Sequence, residues 1–320
     1  MSGSRVLVTG AAGFIGAHVV RALVERGVGV IATDLREAGH APVEGVEWIT
    51  VDLRDADAVE RVMRPEVDAV VHLAAATSVL RSVERPAETF AINVTVTANL
   101  LERARQLEVE TFVFASTNAV VGVTERLPLD EQSRLLPLTP YGATKAAAEM
   151  VLSSYGSAFG MRCPALRLTN VYGPGMGSKD TVVPRLLNAA RSGTTFQVYG
   201  DGSQMRDYVY IDDVVAAVLM AMSAEVTGPI VIGSGISTAV DQLVQLVSEV
   251  TAAPLSVRHV PPKPGEMAKV LVDNGLARSL GWRPTVRLEE GLGRVWSSWP
   301  RKPHAVEAGS PLAGSPVASG

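Results

Sequence analysis

Tyr141-Gly142-Ala143-Thr144-Lys145 sets a phenol and an ammonium four residues apart, so on a helix the two share one face. A free tyrosine, with a pKa of about 10, is a poor base at neutral pH. A neighbouring cation favours the phenolate, so the lysine is expected to make Tyr141 a usable general acid/base for a sugar or alcohol hydroxyl. A further hydroxyl is expected from Ser116-Thr117, at the end of an apolar run. Either one could hydrogen-bond the reacting oxygen and help move its proton. The histidines (His18, His40, His72, His259, His304) show no metal-ligand spacing, so no metal is expected, and His72 reads as a packing residue at a strand end.

These groups need a frame, and it starts at Thr9-Gly10-Ala11-Ala12-Gly13-Phe14-Ile15-Gly16, directly after Val6-Leu7-Val8. Strand, glycine loop and amphipathic helix (Ile15, Val19, Val20, Leu23, Val24) follow without a gap, the order a pyrophosphate site requires. The spacing is G-x-x-G-x-x-G (Gly10, Gly13, Gly16), and a dinucleotide is expected on it. A run at 28–33 ends on Asp34, 18 residues past Gly16 (34 − 16). A carboxylate there accepts hydrogen bonds from an adenosine ribose and repels a 2′-phosphate, so NAD is expected over NADP; Arg36 is the counter-signal. A strand over 46–51 leads to Asp52-Leu53, whose carboxylate could hold the adenine amino group. A fourth strand, 67–73, ends in small residues, Ala74-Ala75-Ala76, that let a flat ligand pass close to the backbone. The positive nicotinamide of NAD would act with Lys145 in drawing Tyr141 towards phenolate.

The sequence further predicts helices over 55–63, with Asp55 as cap, 86–107 and 141–159, and strands over 110–115 and 164–169. Alternating β and α units of this kind give an α/β fold, a doubly wound parallel Rossmann sheet over 1–169. From Asn170 the elements shorten: helices over 181–191, 212–222 and 240–250, strands over 197–199, 230–233 and 255–260. Residues 170–299 read as mainly a smaller C-terminal substrate-binding lobe, with some elements returning to the main sheet. Residues 300–320, rich in Pro, Ala, Gly and Ser, read as a disordered tail.

Among the 320 residues, 47% are apolar, ample for a core, and a net charge of −4 gives no reason to expect nucleic acid or an anionic membrane surface. The lone Cys163 excludes an intramolecular disulfide and reads as a buried strand-start residue. The early first strand leaves no room for a signal peptide, and the longest apolar stretch, 214–222, is too short to span a bilayer. A cytoplasmic protein is expected.

Taken together, TGAAGFIG (9–16), Asp34, HLAA (72–75), Asn93, STNAVVG (116–122), YGATK (141–145), RLTNVYGPG (167–175), GDGSQMRDYVYIDDV (200–214) and KPGE (263–266) resemble the extended short-chain dehydrogenases/reductases of the NAD-dependent nucleotide-sugar epimerase/dehydratase family. The motifs run from Gly10 to about Trp282. The resemblance implies a Thr117–Tyr141–Lys145 triad and a tightly held NAD. Its site would comprise Gly10, Gly13, Phe14, Ile15, Gly16, Asp34, Asp52, Leu53, Leu73, Ala74, Ala75, Asn93, Tyr141 and Lys145. It also implies a UDP-sugar whose diphosphate is met by Asn170 and Arg206. Lys263 stands where the family usually has an arginine, keeping the charge but losing the bidentate fork. Glu266 matches the acidic residue that holds the nucleotide ribose. Thr77, Ser116, Thr117, Asn118, Thr181, Val182, Gln197 and Tyr199 are expected to complete the substrate site, and a homodimer through the helices around 86–107 and 141–159 is implied as well.

Family members that eliminate water across C5–C6 usually carry Asp-Glu after the catalytic threonine, and many decarboxylating members carry a glutamate where Ala119 stands. Here those places hold Asn118 and Ala119, neither able to move a proton. The expected reaction is therefore epimerisation at C4 of a UDP-sugar, of glucose/galactose or glucuronate/galacturonate type, through a 4-keto intermediate. Val121 and Val270, where relatives carry tyrosines, suggest an altered or roomier sugar pocket. The alternatives are a nucleotide-sugar dehydratase or decarboxylase, a net NAD-dependent sugar oxidoreductase, and a non-enzymatic dinucleotide sensor, which would not need Tyr141 and Lys145.

Overall fold

Val6-Leu7-Val8, Val30-Ile31-Ala32 and Val70-Val71 are apolar on both faces, which only a sheet covered on both sides can bury. A computed structural model describes residues 4–37, 43–124, 126–262 and 268–300. Its strands are β1 (Arg5–Thr9), β2 (Gly29–Asp34), β3 (Val46–Thr50), β4 (Ala69–His72), β5 (Thr111–Thr117), β6 (Pro164–Leu168), β7 (Asn170–Tyr172), β8 (Phe196–Tyr199), β9 (Met205–Tyr210), β10 (Gly228–Ile232), β11 (Ser237–Ala239) and β12 (Val257–Val260). Seven of them form one sheet, β10-β6-β5-β4-β1-β2-β3, in which every pairing is parallel. Strand order reverses between β1 and β4. In a doubly wound sheet, that reversal opens a crevice at the carboxyl ends of the two strands.

The helices are α1 (Phe14–Val24), α2 (Ala56–Val62), α3 (Val79–Glu84), α4 (Pro86–Phe90), α5 (Val96–Gln106), α6 (Pro140–Phe159), α7 (Val182–Ser192), α8 (Ile211–Ser223), α9 (Val240–Thr251), α10 (Gly275–Ser279) and α11 (Leu288–Ser297). Alternation along each strand sorts the core. Val6, Val8 and Val30 pack with α1 and α8 on one face. Leu7, Ile31, Phe112 and Phe114 pack with α2, α5 and α6 on the other. A third cluster, with Tyr172, Leu186, Tyr208, Leu243 and Trp299, gathers α7, α9 and α11 around two small sheets, β11-β9-β7 and β12-β8. β10, far along the chain, lies beside β6 in the main sheet.

The structure differs from the sequence expectation at several elements, among them short ones that the sequence did not foretell: α3, α10, α11, β7 and β11. The helix expected over 86–107 is interrupted by a π-helical turn, Ala91–Thr95, between α4 and α5. β9 falls within a stretch read only as a motif. Asp55 occupies the N-cap of α2, but its side chain makes no capping hydrogen bond. Residues 301–320 lie outside the described residues.

Candidate active site

The glycine loop closes on the end of β4. Gly10 has φ +69°, and a Cβ there would stand 2.6 Å from the Ala74 amide nitrogen. At Gly16 a Cβ would lie 2.1 Å from Gly10 O, so α1 can abut the loop only without one. No side chain caps α1, which leaves its first-turn amides available to an anion. Asp34 ends β2 with Oδ2 accepting from Ala12 N at 3.1 Å and Oδ1 accepting from Arg36 N at 3.1 Å. The exposed Arg36 guanidinium also turns onto Asp34, at 3.4 Å. Asp52 is gripped by Arg54, whose Nε donates at 3.0 Å, which holds the carboxyl below its usual range. An adenine amino group would share Asp52 with that guanidinium.

A cavity of about 610 Å³ follows the carboxyl ends of β1 to β6. Of the residues expected to bind cofactor, all but Asn93 line it. Asn93 lies behind the wall, 1% exposed. Its Oδ1 accepts from Ala76 N at 2.8 Å, and its Nδ2 donates to Ala76 O and to Thr144 Oγ1. It therefore shapes the wall rather than touching what fills it. His72 does the same from the end of β4. Ala74 N donates to Thr9 Oγ1, which sits 2.7 Å from His72 Nδ1, while His72 Nε2 lies 3.0 Å from Thr97 Oγ1. Because Thr97 gives its own hydrogen to Asn93 O, the network assigns the imidazole proton to Nε2 and makes Nδ1 the acceptor. Burial, aided by the nearby Lys145 charge, drives the His72 pKa down to about 3, so the ring is neutral.

Tyr141 and Lys145 lie in the first two turns of α6 and both open on the cavity. Surrounding protein desolvates the phenol and pushes its pKa up to about 12, opposed by a hydrogen bond with Thr117. Thr117 Oγ1 accepts from Ala119 N, leaving its own hydrogen for Tyr141. Burial brings the Lys145 ammonium down to about 7, against the pull of Glu149. Its Nζ donates to Ala115 O at 2.8 Å and lies 4.4 Å from the Phe114 ring centroid. In the protein by itself desolvation dominates at the phenol, and one N–H of the Lys145 ammonium is directed at the end of β5. Of the two candidate hydroxyls, Ser116 donates to the buried Glu149, itself bonded by Arg167. Thr117 is the one that meets Tyr141.

On the substrate side, Thr77, Ser116, Thr117 and Thr181 line the cavity, while Asn118, Asn170, Val182, Gln197, Tyr199 and Arg206 do not. Asn170 and Arg206 lie together on the β7–β9 pair, where Asn170 sits opposite Tyr208 and its Nδ2 donates to Asp207 O. Gln197 and Tyr199 lie on β8. Lys263 and Glu266 fall outside the described residues. Val121 and Val270, expected to widen a sugar pocket, are each 2% exposed and packed with Leu129, Val231 and Val272. They belong to a satellite core, so the roomier pocket does not follow from them. Sequence reasoning missed Ser78, Arg81, Arg85, Glu88 and Lys179 on the wall. Ser78 caps α3 and Pro86 bounds it, signals that could have revealed this helix.

Residues 6–233 match the NAD dependent epimerase/dehydratase family. The UDP-glucose 4-epimerase of Mycolicibacterium smegmatis is 34% identical over 303 residues, covering 91% of this chain and 97% of that protein. The crystal structure of a Thermotoga maritima UDP-glucose 4-epimerase with UDP-glucose superposes with TM-score 0.88 at 35% identity, covering 92% of this chain and 98% of that one. A Thermus thermophilus UDP-glucose 4-epimerase in complex with NAD gives TM-score 0.85 at 36% identity, with the same coverage. With a glycine-loop sheet of this topology and a Tyr–Lys helix on its crevice, the chain belongs to the NAD dependent epimerase/dehydratase family.

Proposed function

We propose that this chain epimerises a UDP-sugar at C4 with NAD. The observation carrying the reading is that Thr117, Tyr141 and Lys145 line one cavity with the glycine loop, while the residues after Thr117 are Asn118 and Ala119, which cannot carry a proton. The glycine loop, the uncapped start of α1 and Asp34 fit the pyrophosphate and ribose of NAD. Held there, NAD would supply a positively charged hydride acceptor at C4 and, once reduced, a hydride donor to either face of the 4-keto sugar. Thr117 orients the C4 oxygen, and Tyr141 removes the C4 hydroxyl proton and later restores it. Without added positive charge Tyr141 is a phenol at neutral pH, so proton removal is linked to the oxidised cofactor. Lys145 holds the β5 end that carries Thr117.

In this proposal residues 1–169 hold the dinucleotide and 170–299 cover the sugar nucleotide, with Asn170 and Arg206 on its diphosphate. The chain acts in the cytoplasm as a homodimer joined through the face of α3, α4 and α6. That face exposes Leu80 and Val83 (61% each), Phe90 (51%) and Met150 (67%). Apolar exposure of this kind, gathered on adjoining helices, marks a protein–protein contact.

The test is incubation with UDP-glucose, UDP-glucuronate and their N-acetyl relatives without added NAD⁺, followed by chromatography and mass analysis. Interconversion of two C4 epimers of equal mass is expected. A product lighter by water or carbon dioxide, or no turnover of any of them, refutes the proposal.

A further inference from the structure

We infer that Ser82 is a positioning residue for Tyr141. α6 begins with Thr139 as N-cap and Pro140 in its first turn, so the Tyr141 N–H has no partner within the helix. Thr139 Oγ1 is committed to Gly142 N at 3.3 Å. The Tyr141 N–H instead donates, at 3.1 Å, to Oγ of Ser82, which is 1% exposed and gives its own hydrogen to Val79 O at 2.6 Å. The Tyr141 carbonyl accepts from Thr144 Oγ1 at 2.8 Å, and that hydroxyl accepts from Asn93 Nδ2, which reaches the peptide only through a second side chain. Ser82 bonds the Tyr141 peptide directly, from α3, which packs on α6.

α3 is also cavity wall, contributing Arg81 and, at its N-cap, Ser78. One hydroxyl therefore ties the backbone of the proton-transfer residue to an element that faces the ligand. Ser82 does not line the cavity itself, so it acts only through Tyr141. Removing its oxygen leaves the partly buried Tyr141 N–H without its partner and frees the helix start to shift against Thr117.

The inference rests on the epimerisation proposed above, and the full-length wild type on UDP-glucose and UDP-glucuronate is the control that separates the two. For Ser82→Ala the expected result is a fall in kcat of about tenfold, since sub-ångström to 1 Å misplacement has effects of this size or larger. KM and the affinity for NAD are expected to stay within about twofold, because no ligand contact is lost. The pH profile of kcat is expected to move, as the Thr117–Tyr141 bond that favours the phenolate is disturbed, and Ser82→Thr is expected to recover most of the rate. Ser82→Cys keeps the shape with a poor acceptor; it is expected to fall between, and it decides the matter if the alanine variant does not fold. A wild-type kcat and pH profile in the folded Ala or Cys variant overturns the inference, as does a loss confined to KM. A wild type inactive on both sugar nucleotides overturns the reaction itself and this inference with it.

Discussion

Tyr141 and Lys145 illustrate how a site can be held against its own stability. Lys145 drops from 10.5 unfolded to about 7 folded, so between those values the unfolded chain binds more protons. Its stabilising contribution is present above the unfolded value and is lost as pH falls towards 7. At neutral pH the buried ammonium is therefore a burden on the fold. Lys145→Met is expected to raise the thermal midpoint by a few degrees while cutting turnover by about 10²-fold or more, read by calorimetry beside the epimerase assay. An unchanged midpoint with lost activity would show that the ammonium carries no such burden. His72 gives the companion case. Its pKa falls from 6.5 to about 3 on folding, so stability is full above 6.5 and declines as pH drops through that window. His72→Gln is expected to flatten the decline of the unfolding midpoint between pH 6.5 and 4, and an unaltered slope would assign acid sensitivity elsewhere. The Tyr–Lys spacing was legible from sequence because it is local. The neutral tautomer of His72 was not, since Thr9, Thr97 and Asn93 reach it from distant segments.

At the scale of elements, strands and long helices with one dominant period were readable, and short or interrupted ones were not. Residues 86–107 carry helical periodicity throughout, and nothing in that pattern marks a π turn at Ala91–Thr95. The turn bears Asn93, whose three bonds set Ala76 and Thr144. β9 was hidden because Met205-Arg206-Asp207 precedes its apolar half. Asp207 is fully buried and collects Thr169 Oγ1, Ser234 N and Gly235 N, partners that only the folded chain provides. The same holds for the weld between α6 and β6: Glu149 and Arg167, 5% and 4% exposed, meet at 2.8 Å, and Arg167 also donates to Asp130 O and Glu131 O. Breaking a buried pair strands a charge, so Arg167→Met is expected to cost about 3–5 kcal/mol in urea unfolding. Glu149→Leu/Arg167→Met removes both members of the pair but deprives the buried Lys145 ammonium and the Ser116 hydroxyl of Glu149, and is expected to recover part of that. A double variant as unstable as the single would show that packing, not the charge, sets the loss.

Over the whole molecule, the reversal of strand order between β1 and β4 brings the glycine loop, the Asp34 tip and the α6 start to one crevice. The alternation of β and α segments foretold that convergence. It gave no hint that α3 would carry wall residues on one side and Leu80 and Val83 on the other. Apolar side chains on α3, α4 and α6 are left in solvent by a single copy. A second copy meeting this face would cover them and would stiffen α3, which braces Tyr141 through Ser82. Light scattering at micromolar concentration is expected to give twice the 33.7 kDa chain mass. Val83→Glu with Met150→Lys is expected to yield monomers that keep their fold, because neither side chain supports the core of one copy. If assembly steadies the start of α6, those monomers lose kcat more than KM. Monomers with full activity would leave the interface real but uncoupled from Tyr141, whereas a wild type that scatters as a single chain would remove the dimer altogether.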